Sequence, residues 1–587
     1  MKVVLVVLHP NCSCYNTITS PTPMLISPLV FARPHYRKGS RIINYNVVYP
    51  EKVDAGYRFG GRVRPIYKLE HLLFVDDLKL YAENPTKLSK LVRAACDVGE
   101  ASGLKFGMPK CAWVDIVRGF PVDNRPDEVP DELANMKYLN AGERYKYLGV
   151  PQCMLPDAKL VFDNTKKILL KRVTKVLNVK LSAANVIKTL NSWCISVVYY
   201  PIQAGLIKRT QARQLDCHIR NILRQFHGHG YVSSTDLLYL PREKGGRGLI
   251  NIEDVWYKIC TAIGDYARDN LIDLLPRLTD TNPLNKIVET ADEISRLFDL
   301  DINSQENLCN GGKIERLKRR LHDDREKHFY EMAVAPEWHK KMAEQQSSGL
   351  DLKASVGWLA TANVPLQIEA DIIALRTLSI ATRAYPVEQD DPMCRLCGQA
   401  KETLFHIVSC CPVLAHAEYF DRHNRICRLL YKACCDMLSV PFENEWWSCR
   451  PPCVNVEAGS LFWDQPVHTP RKLEYYRPDI IAVIKSRRLV LVIEIAVCAD
   501  HSVVKKEGEK RSKYQALIQE LVLMYRGFSV KLVPVVIGVT GAVTKSLPRM
   551  LKDAFLGDVD IRTCQRVAST STIHLLRRVL GGPNAPI

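Results

Sequence analysis

Three groups of residues in this chain have types and spacings that could do chemistry. Cys394, Cys397, His406 and Cys411 stand as C-x2-C-x8-H-x4-C within eighteen residues. Two thiols two residues apart fit a tight turn that aims both sulfurs at one ion. A His and a Cys on a following helix can then close a tetrahedron, the ligand set that zinc favours. Cys410 competes with Cys411 for the fourth place. Such an ion would be structural, holding together a module too small to fold alone. The second group is acidic: Asp479 follows Pro478, and Glu494 lies inside the apolar run Leu489–Val497. A lone carboxylate in a central strand is costly, so it usually holds a metal or does chemistry. The third is Asp76-Asp77 within HLLFVDDLKLYA. Adjacent carboxylates repel and invite a cation, for which Mg²⁺ is suited because it prefers carboxylate and phosphate oxygens. A solvated hairpin tip that happens to hold two aspartates is the alternative for that stretch.

The elements that must position these groups can be read around them. Short apolar runs on either side of Asp76 and Asp77 predict two strands joined by a tight turn. A helix follows, with Leu88, Leu91, Val92, Ala95 and Val98 at three-four spacing and Gly103 as its stop. Near the C-terminus, a strand over Ile480–Ile484, a basic turn (Lys485, Arg487, Arg488) and a strand over Leu489–Val497 precede a helix from about Lys505 to Met524. That helix carries Lys510, Lys513 and Tyr514, and a strand over Val530–Val539 completes the unit. If the first two strands pair antiparallel, Asp479 and Glu494 converge on one ion. A metal there would activate water and polarise a phosphate, while a Lys would stabilise the developing charge.

Between the two acidic groups the charge is one-sided. Residues 164–235 hold twelve Lys or Arg and a single acid, Asp216. Lys166, Lys167, Lys171, Arg172 and Lys175 fall at helical spacing, a basic face that could follow a phosphate backbone without reading sequence. The Gly-rich stretch Leu238–Asp254 suits a sharp loop in which Arg242 and Arg247 could meet phosphate.

Composition agrees with a polyanionic partner. The chain has 587 residues, enough for three or four domains, with 47% hydrophobic and 25% charged residues. A net charge of +18 and a pI near 9.1 favour nucleic acid, with a membrane surface as competitor. No run approaches the length that spans a bilayer. The start, MKVVLVVLHP, is short for a signal peptide and lacks a clean cleavage site. Twenty cysteines scattered along so long a chain point to a reducing, intracellular compartment.

The order of these motifs resembles the C-terminal half or more of a non-LTR retrotransposon polyprotein of the restriction-like-endonuclease class. The resemblance covers roughly residues 65–587. It implies a multidomain α+β / α/β chain: an irregular remnant (1–66), a partial reverse-transcriptase palm (67–155), a basic helical thumb (156–255) and a helical linker (256–390). A zinc knuckle region (391–430), a restriction-endonuclease-like α/β domain (455–545) and a helical tail (546–587) would follow. In this reading Asp76 and Asp77 are the polymerase hairpin, Lys110 the downstream palm lysine, and Tyr147, Leu148 and Gly149 the turn that grips the primer. Pro412 after Cys411 matches the family's Cys-Pro pair and favours Cys411 as zinc ligand; Arg422-His423-Asn424 resembles the element that follows the knuckle and would contact nucleic acid.

The usual Glu-x-Lys of restriction-like nucleases would place a Lys where Ala496 stands. The family's displaced Lys next to a Tyr matches Lys513-Tyr514, with Lys510 as the alternative. The resemblance therefore implies catalytic Mg²⁺, structural Zn²⁺, a DNA target, an RNA template and a nuclear or nucleocytoplasmic location. The family also needs an Asp on a strand upstream of the double Asp, whereas residues 1–70 hold only Asp54, in an irregular segment. The purified chain with Mg²⁺ is therefore expected not to extend a primer, and measurable extension would overturn this reading.

Overall fold

The computed structural model describes residues 2–8, the short strands between 52 and 74, and most of 77–581. Outside the described residues lie 1, 9–51, the gaps between those strands, 75–76, 102, 104–105, 108–109, 118–119, 148–149, 153–156, 231–233, 272–282, 301–309, 332–340, 343, 345–347, 386–388, 443–451 and 582–587. The chain is mixed α/β and divides into two compact units, 1–169 with 197–215 and 255–310, and 170–196 with 216–254 and 311–587. Among the described residues, no helix is long and apolar enough to cross a membrane.

In the first unit, strand β1 (Lys2–Leu8) lies inside a six-stranded sheet. Four two-residue strands follow: β2 (Lys52–Val53), β3 (Arg58–Phe59), β4 (Arg62–Val63) and β5 (Ile66–Tyr67). Then come β6 (His71–Phe74), β7 (Asp77–Ala82), β8 (Ala112–Val117), β9 (Phe120–Pro121) and β10 (Lys137–Tyr138), in the sheet order β10-β8-β1-β7-β6 with β9 on β8. Strands β6 and β7 form the expected hairpin, with Phe74 opposite Asp77. The run KVVLVVL, weighed above only as a short signal sequence in an irregular remnant, is instead a central strand, antiparallel to both β7 and β8. A continuous apolar run is the pattern of a strand covered on both faces. Helix α1 (Pro85–Ala101) packs Leu88 and Val92 against Leu80, Trp113 and Tyr138. Strands β11 (Tyr145–Tyr147) and β12 (Val150–Gln152) form a separate antiparallel pair. Helix α2 (Ala158–Leu177) follows them, its residues from 170 on belonging to the second unit.

The second unit is built on a five-stranded sheet: β13 (Cys453–Val456), β14 (Gly459–Trp463), β15 (Ile480–Ile484), β16 (Leu489–Cys498) and β17 (Ser529–Gly538). All pairings are antiparallel except β16 with β17, which are parallel. Period-two alternation divides the two central strands between two cores. Ile480, Ala482, Ile484, Leu491, Ile493 and Ile495 pack against helices Glu418–Met437 and Ile561–Leu580. Ile481, Val483, Val490 and Val492 face the other side, where helix Val503–Met524 contributes Tyr514, Leu517 and Leu521. Pro534 stands opposite Glu494 on β17, and this is tolerated because β17 is a sheet edge.

Residues placed in the helical linker by sequence belong to this unit's core. Helix α3 (Leu366–Arg376) ends in Arg376, which is fully buried and donates to the Thr540 carbonyl (2.8 Å) and the Ser355 carbonyl (3.1 Å). The Trp358 indole N–H donates to the same Thr540 carbonyl. Gly541 has φ +99°, and a Cβ there would lie 2.3 Å from the Trp358 Nε1, so both the backbone and the space require glycine.

Glu369, also on α3, is completely buried between Arg242 and Arg247. Burial alone would raise its pKa. The two guanidiniums outweigh that and hold the carboxyl below the ordinary range. Its contribution to stability is therefore present above the unfolded pKa of about 4.3 and is lost as the pH falls through the lower folded value. Glu369→Gln leaves one buried and one half-buried guanidinium without their counter-charge. It should cost about 3–5 kcal/mol in chemical denaturation at neutral pH, and a loss below 1 kcal/mol would contradict this account.

Candidate functional site

The cysteine–histidine group is assembled around a tight turn. Cys394 N–H donates to the Ala400 carbonyl, Gly398 N–H to the Cys394 carbonyl, and Gln399 N–H to the Cys397 Sγ at 3.4 Å. Gly398 takes φ +62°, the left-handed conformation that lets the turn close. The Cys394 and Cys411 sulfurs lie 4.0 Å apart, and the Cys397 Sγ is 3.3 Å from the His406 Nε2. All four donor atoms fall within 4.8 Å of one another, so the cluster could hold a metal ion.

The choice between the two adjacent cysteines is geometric. A wide π-type turn over His406–Cys410 buries His406 and leaves Cys410 exposed, while Cys411 is buried and joins the cluster. An outer layer supports it. The Tyr419 hydroxyl donates to the Ile407 carbonyl (2.6 Å) and accepts from the Cys411 N–H, while buried Glu402 takes both guanidinium arms of Arg395. Such partners fix the orientation of the ligands. Burial and the neighbouring Cys394 push the Cys411 thiol up to about 11, and a metal ion bound there would displace its proton.

The acidic group lies at one end of the pair β15–β16. Asp479 immediately precedes β15, and the antiparallel register sets Ile480 opposite Ile493, which brings Glu494 beside it. The Asp479 N–H donates to Glu494 Oε2 (3.2 Å), and Asp479 Oδ2 accepts from the Ile495 N–H (2.7 Å). We name Glu418–Met437 α4 and Val503–Met524 α5. From α5, Lys510 Nζ donates to Glu494 Oε1 at 2.5 Å, and from α4, His423 Nε2 lies 3.2 Å from Asp479 Oδ2.

These contacts split the two acids. Burial would raise the Asp479 pKa, but the hydrogen bond and charge of His423, the Ile495 N–H and Lys510 hold it below the ordinary range. Burial and the Asp479 charge raise Glu494 despite Lys510. His423 is raised: burial opposes its charged form, but Asp479 outweighs this.

Lys513 is not on the carboxylates. Its ammonium lies over the rings of Tyr475 and Tyr514, 5.0 and 4.9 Å from their centroids. Lys510, the alternative in the sequence reading, is the lysine that pairs with the carboxylates, through Glu494. Tyr514 is buried, and its hydroxyl donates to the Arg477 carbonyl beside Asp479 (3.2 Å). His423, expected to touch nucleic acid, is a neighbour of the acids. Sequence reasoning missed this, as it missed Cys427, one helical turn after His423 and 3.4 Å from its Nδ1.

Other expected contacts fall elsewhere. Arg242 and Arg247 are committed to Glu369, and Arg247 is 1% exposed, so neither offers its charge to a phosphate. Arg422 is buried, stacked over the Tyr419 ring and bonded to Thr572, and is likewise structural. On α2, Lys167, Lys171 and Lys175 are exposed at i, i+4 and i+8, while Lys166 and Arg172 are half-buried, with Arg172 over the Trp193 ring. Lys110 is exposed beside the first unit's sheet. Asp77 begins β7 and Tyr147 ends β11; Asp76, Leu148 and Gly149 lie outside the described residues.

No protein-family model and no curated protein matches the chain. The geometry alone therefore supplies the next test. Cys394→Ser should lower the metal bound by the purified chain by about one equivalent and lower its melting temperature, whereas Cys410→Ser should change neither. Equal metal loss in both variants would show that the wrong sulfur has been assigned.

Proposed function

We propose that the second unit is a metal-dependent endonuclease acting on DNA, within a chain derived from a retroelement reverse transcriptase. The observation that carries this is the convergence of Asp479, Glu494 and Lys510 at the end of an otherwise apolar strand pair. Two carboxylates from adjacent strands and a lysine from the following helix form the donor set of a phosphodiester-cleaving site. Their oxygens suit a hard cation such as Mg²⁺, which when bound would supply Lewis acidity and a more acidic water.

The chain's own residues would do the rest. Lys510, held on Glu494, is placed to neutralise charge that develops on a phosphate. His423 steers one oxygen of Asp479, and the Ile495 N–H fixes the same oxygen. Tyr514 anchors the Arg477 carbonyl and so the approach of the Pro478-Asp479 segment. The exposed lysines of α2 would follow a phosphate backbone, and zinc is the ion best matched to three thiols and an imidazole. The double aspartate marks the ancestry of the first unit rather than a working polymerase. Strand β1, which pairs with Leu78–Ala82 of β7, carries no carboxylate.

One observation favours a second reading, a nucleic-acid binder that cleaves nothing. Lys510 and His423 already compensate both acids, so the site is electrostatically satisfied as it stands. Nicking of supercoiled plasmid, with Mg²⁺ and with EDTA at matched salt, separates the two. Under the nuclease reading, Asp479→Ala with Glu494→Ala abolishes Mg²⁺-dependent nicking, and Lys510→Ala lowers it roughly 10²–10³-fold. Lys513→Ala should have a much smaller effect. Undiminished nicking by the double variant would sink the nuclease reading, and binding without any nicking would establish the binder.

A further inference from the structure

His423, Cys427 and Asp479 form a second group of metal-ligating side chains, separate from the Cys394 cluster. Their donor atoms also lie within 4.8 Å of one another. His423 and Cys427 are four apart on α4, so one face of the helix presents both, and Asp479 arrives from the start of β15. The Cys427 thiol is buried, whereas the side chains of His423 and Asp479 are 25% and 20% exposed, so an ion could enter from the acidic side.

The Asp479 Oδ2 lies 3.2 Å from His423 Nε2, whereas the Cys427 Sγ lies against the imidazole ring, 3.4 Å from Nδ1 and 3.7 Å from Nε2. Zinc bonds of about 2.0–2.3 Å give tetrahedral edges of roughly 3.3–3.6 Å, so the Nε2–Oδ2 separation is close to that of a formed site, and the Cys427 thiol, within 4.8 Å of the other donors, joins it by turning from the ring towards the same ion. The other ring nitrogen, Nδ1, lies 3.3 Å from the Asn424 Oδ1. An Nδ1–H donated to that acceptor leaves the Nε2 lone pair facing the Asp479 carboxylate. Two electron-rich atoms at 3.2 Å require a positive charge between them, either a proton or a metal ion. An outer acceptor on the non-ligating nitrogen is the usual way a protein fixes a metal-binding histidine.

We propose that His423 Nε2, Cys427 Sγ and Asp479 Oδ2 bind a zinc ion, with the fourth position open to water. The thiolate and imidazole select a borderline-soft ion over Mg²⁺. Zinc on the Asp479 Oδ2 reduces the negative charge that this carboxylate offers a hard metal at the neighbouring site. If the nuclease reading above is right, zinc therefore inhibits nicking competitively with Mg²⁺. The site itself does not depend on that reading.

The test counts zinc on the full chain after loading with ZnCl₂ and gel filtration, alongside circular dichroism. Both His423→Gln and Cys427→Ala should hold about one equivalent less than wild type, while Cys410→Ala holds the wild-type amount. Cys427 lies in the core, so if Cys427→Ala fails to fold, His423→Gln at its part-exposed position decides the matter. Folded His423→Gln protein with the wild-type zinc content overturns the proposal. Because the readout is bound metal, a chain that never nicks DNA would overturn the nuclease reading and leave the zinc count to stand or fall separately.

Discussion

A carboxylate inside a strand that is otherwise wholly apolar sets the terms for the second unit. Glu494 sits among Val492, Ile493, Ile495 and Ala496, all buried, and cannot be left unpaired there. Three separate parts of the chain are arranged to meet it. The antiparallel register of β15 delivers the Asp479 N–H, the phase of α5 delivers Lys510, and the edge position of β17 accepts a proline opposite it. Each is a local consequence of strand pairing or helix periodicity, yet together they make a charged residue tolerable at a central position. The chemistry we attribute to this corner needs the same residues, so solvating the acid and using it are two aspects of one arrangement.

The two clusters of sulfur and nitrogen differ in how they are held. The Cys394 cluster is local: its four donors come from one short stretch, and its outer layer of Tyr419, Arg395 and Glu402 comes from the same neighbourhood. The group at His423 is assembled from residues fifty-six apart in sequence. It depends on α4 lying correctly against the sheet, through Ile426, Leu430 and Tyr431. Loss of helix packing would therefore disturb the second group while leaving the first largely to its own turn.

Much of this was legible in the sequence where the signal is local. The C-terminal strands, the helix after them, the antiparallel approach of Asp479 and Glu494, and the spacing of the cysteine cluster all follow from short-range pattern. The choice of lysine had a signal too: Lys510, Tyr514, Leu517 and Leu521 fall on one helical stripe, and Lys513 lies off it. What was not legible depended on distant partners. Arg242 and Arg247 look like phosphate ligands until Glu369, more than a hundred residues later, is seen between them. Strand β1 was misjudged because a continuous apolar run at a chain start fits several structures, and only its neighbours in the sheet decide among them.

The support supplied by Trp358 and Arg376 changes what counts as the unit of inheritance. The acids and their lysine lie within residues 479–510, but the loop at Thr540–Gly541 that closes the same sheet is buttressed by side chains more than one hundred and sixty residues earlier. A splicing or recombination event that carried only residues 479–510 into another gene would transfer the charges without their scaffold. Selection acting on this corner of the protein is therefore expected to preserve the earlier helices as well, although nothing in their own sequence advertises a role in it.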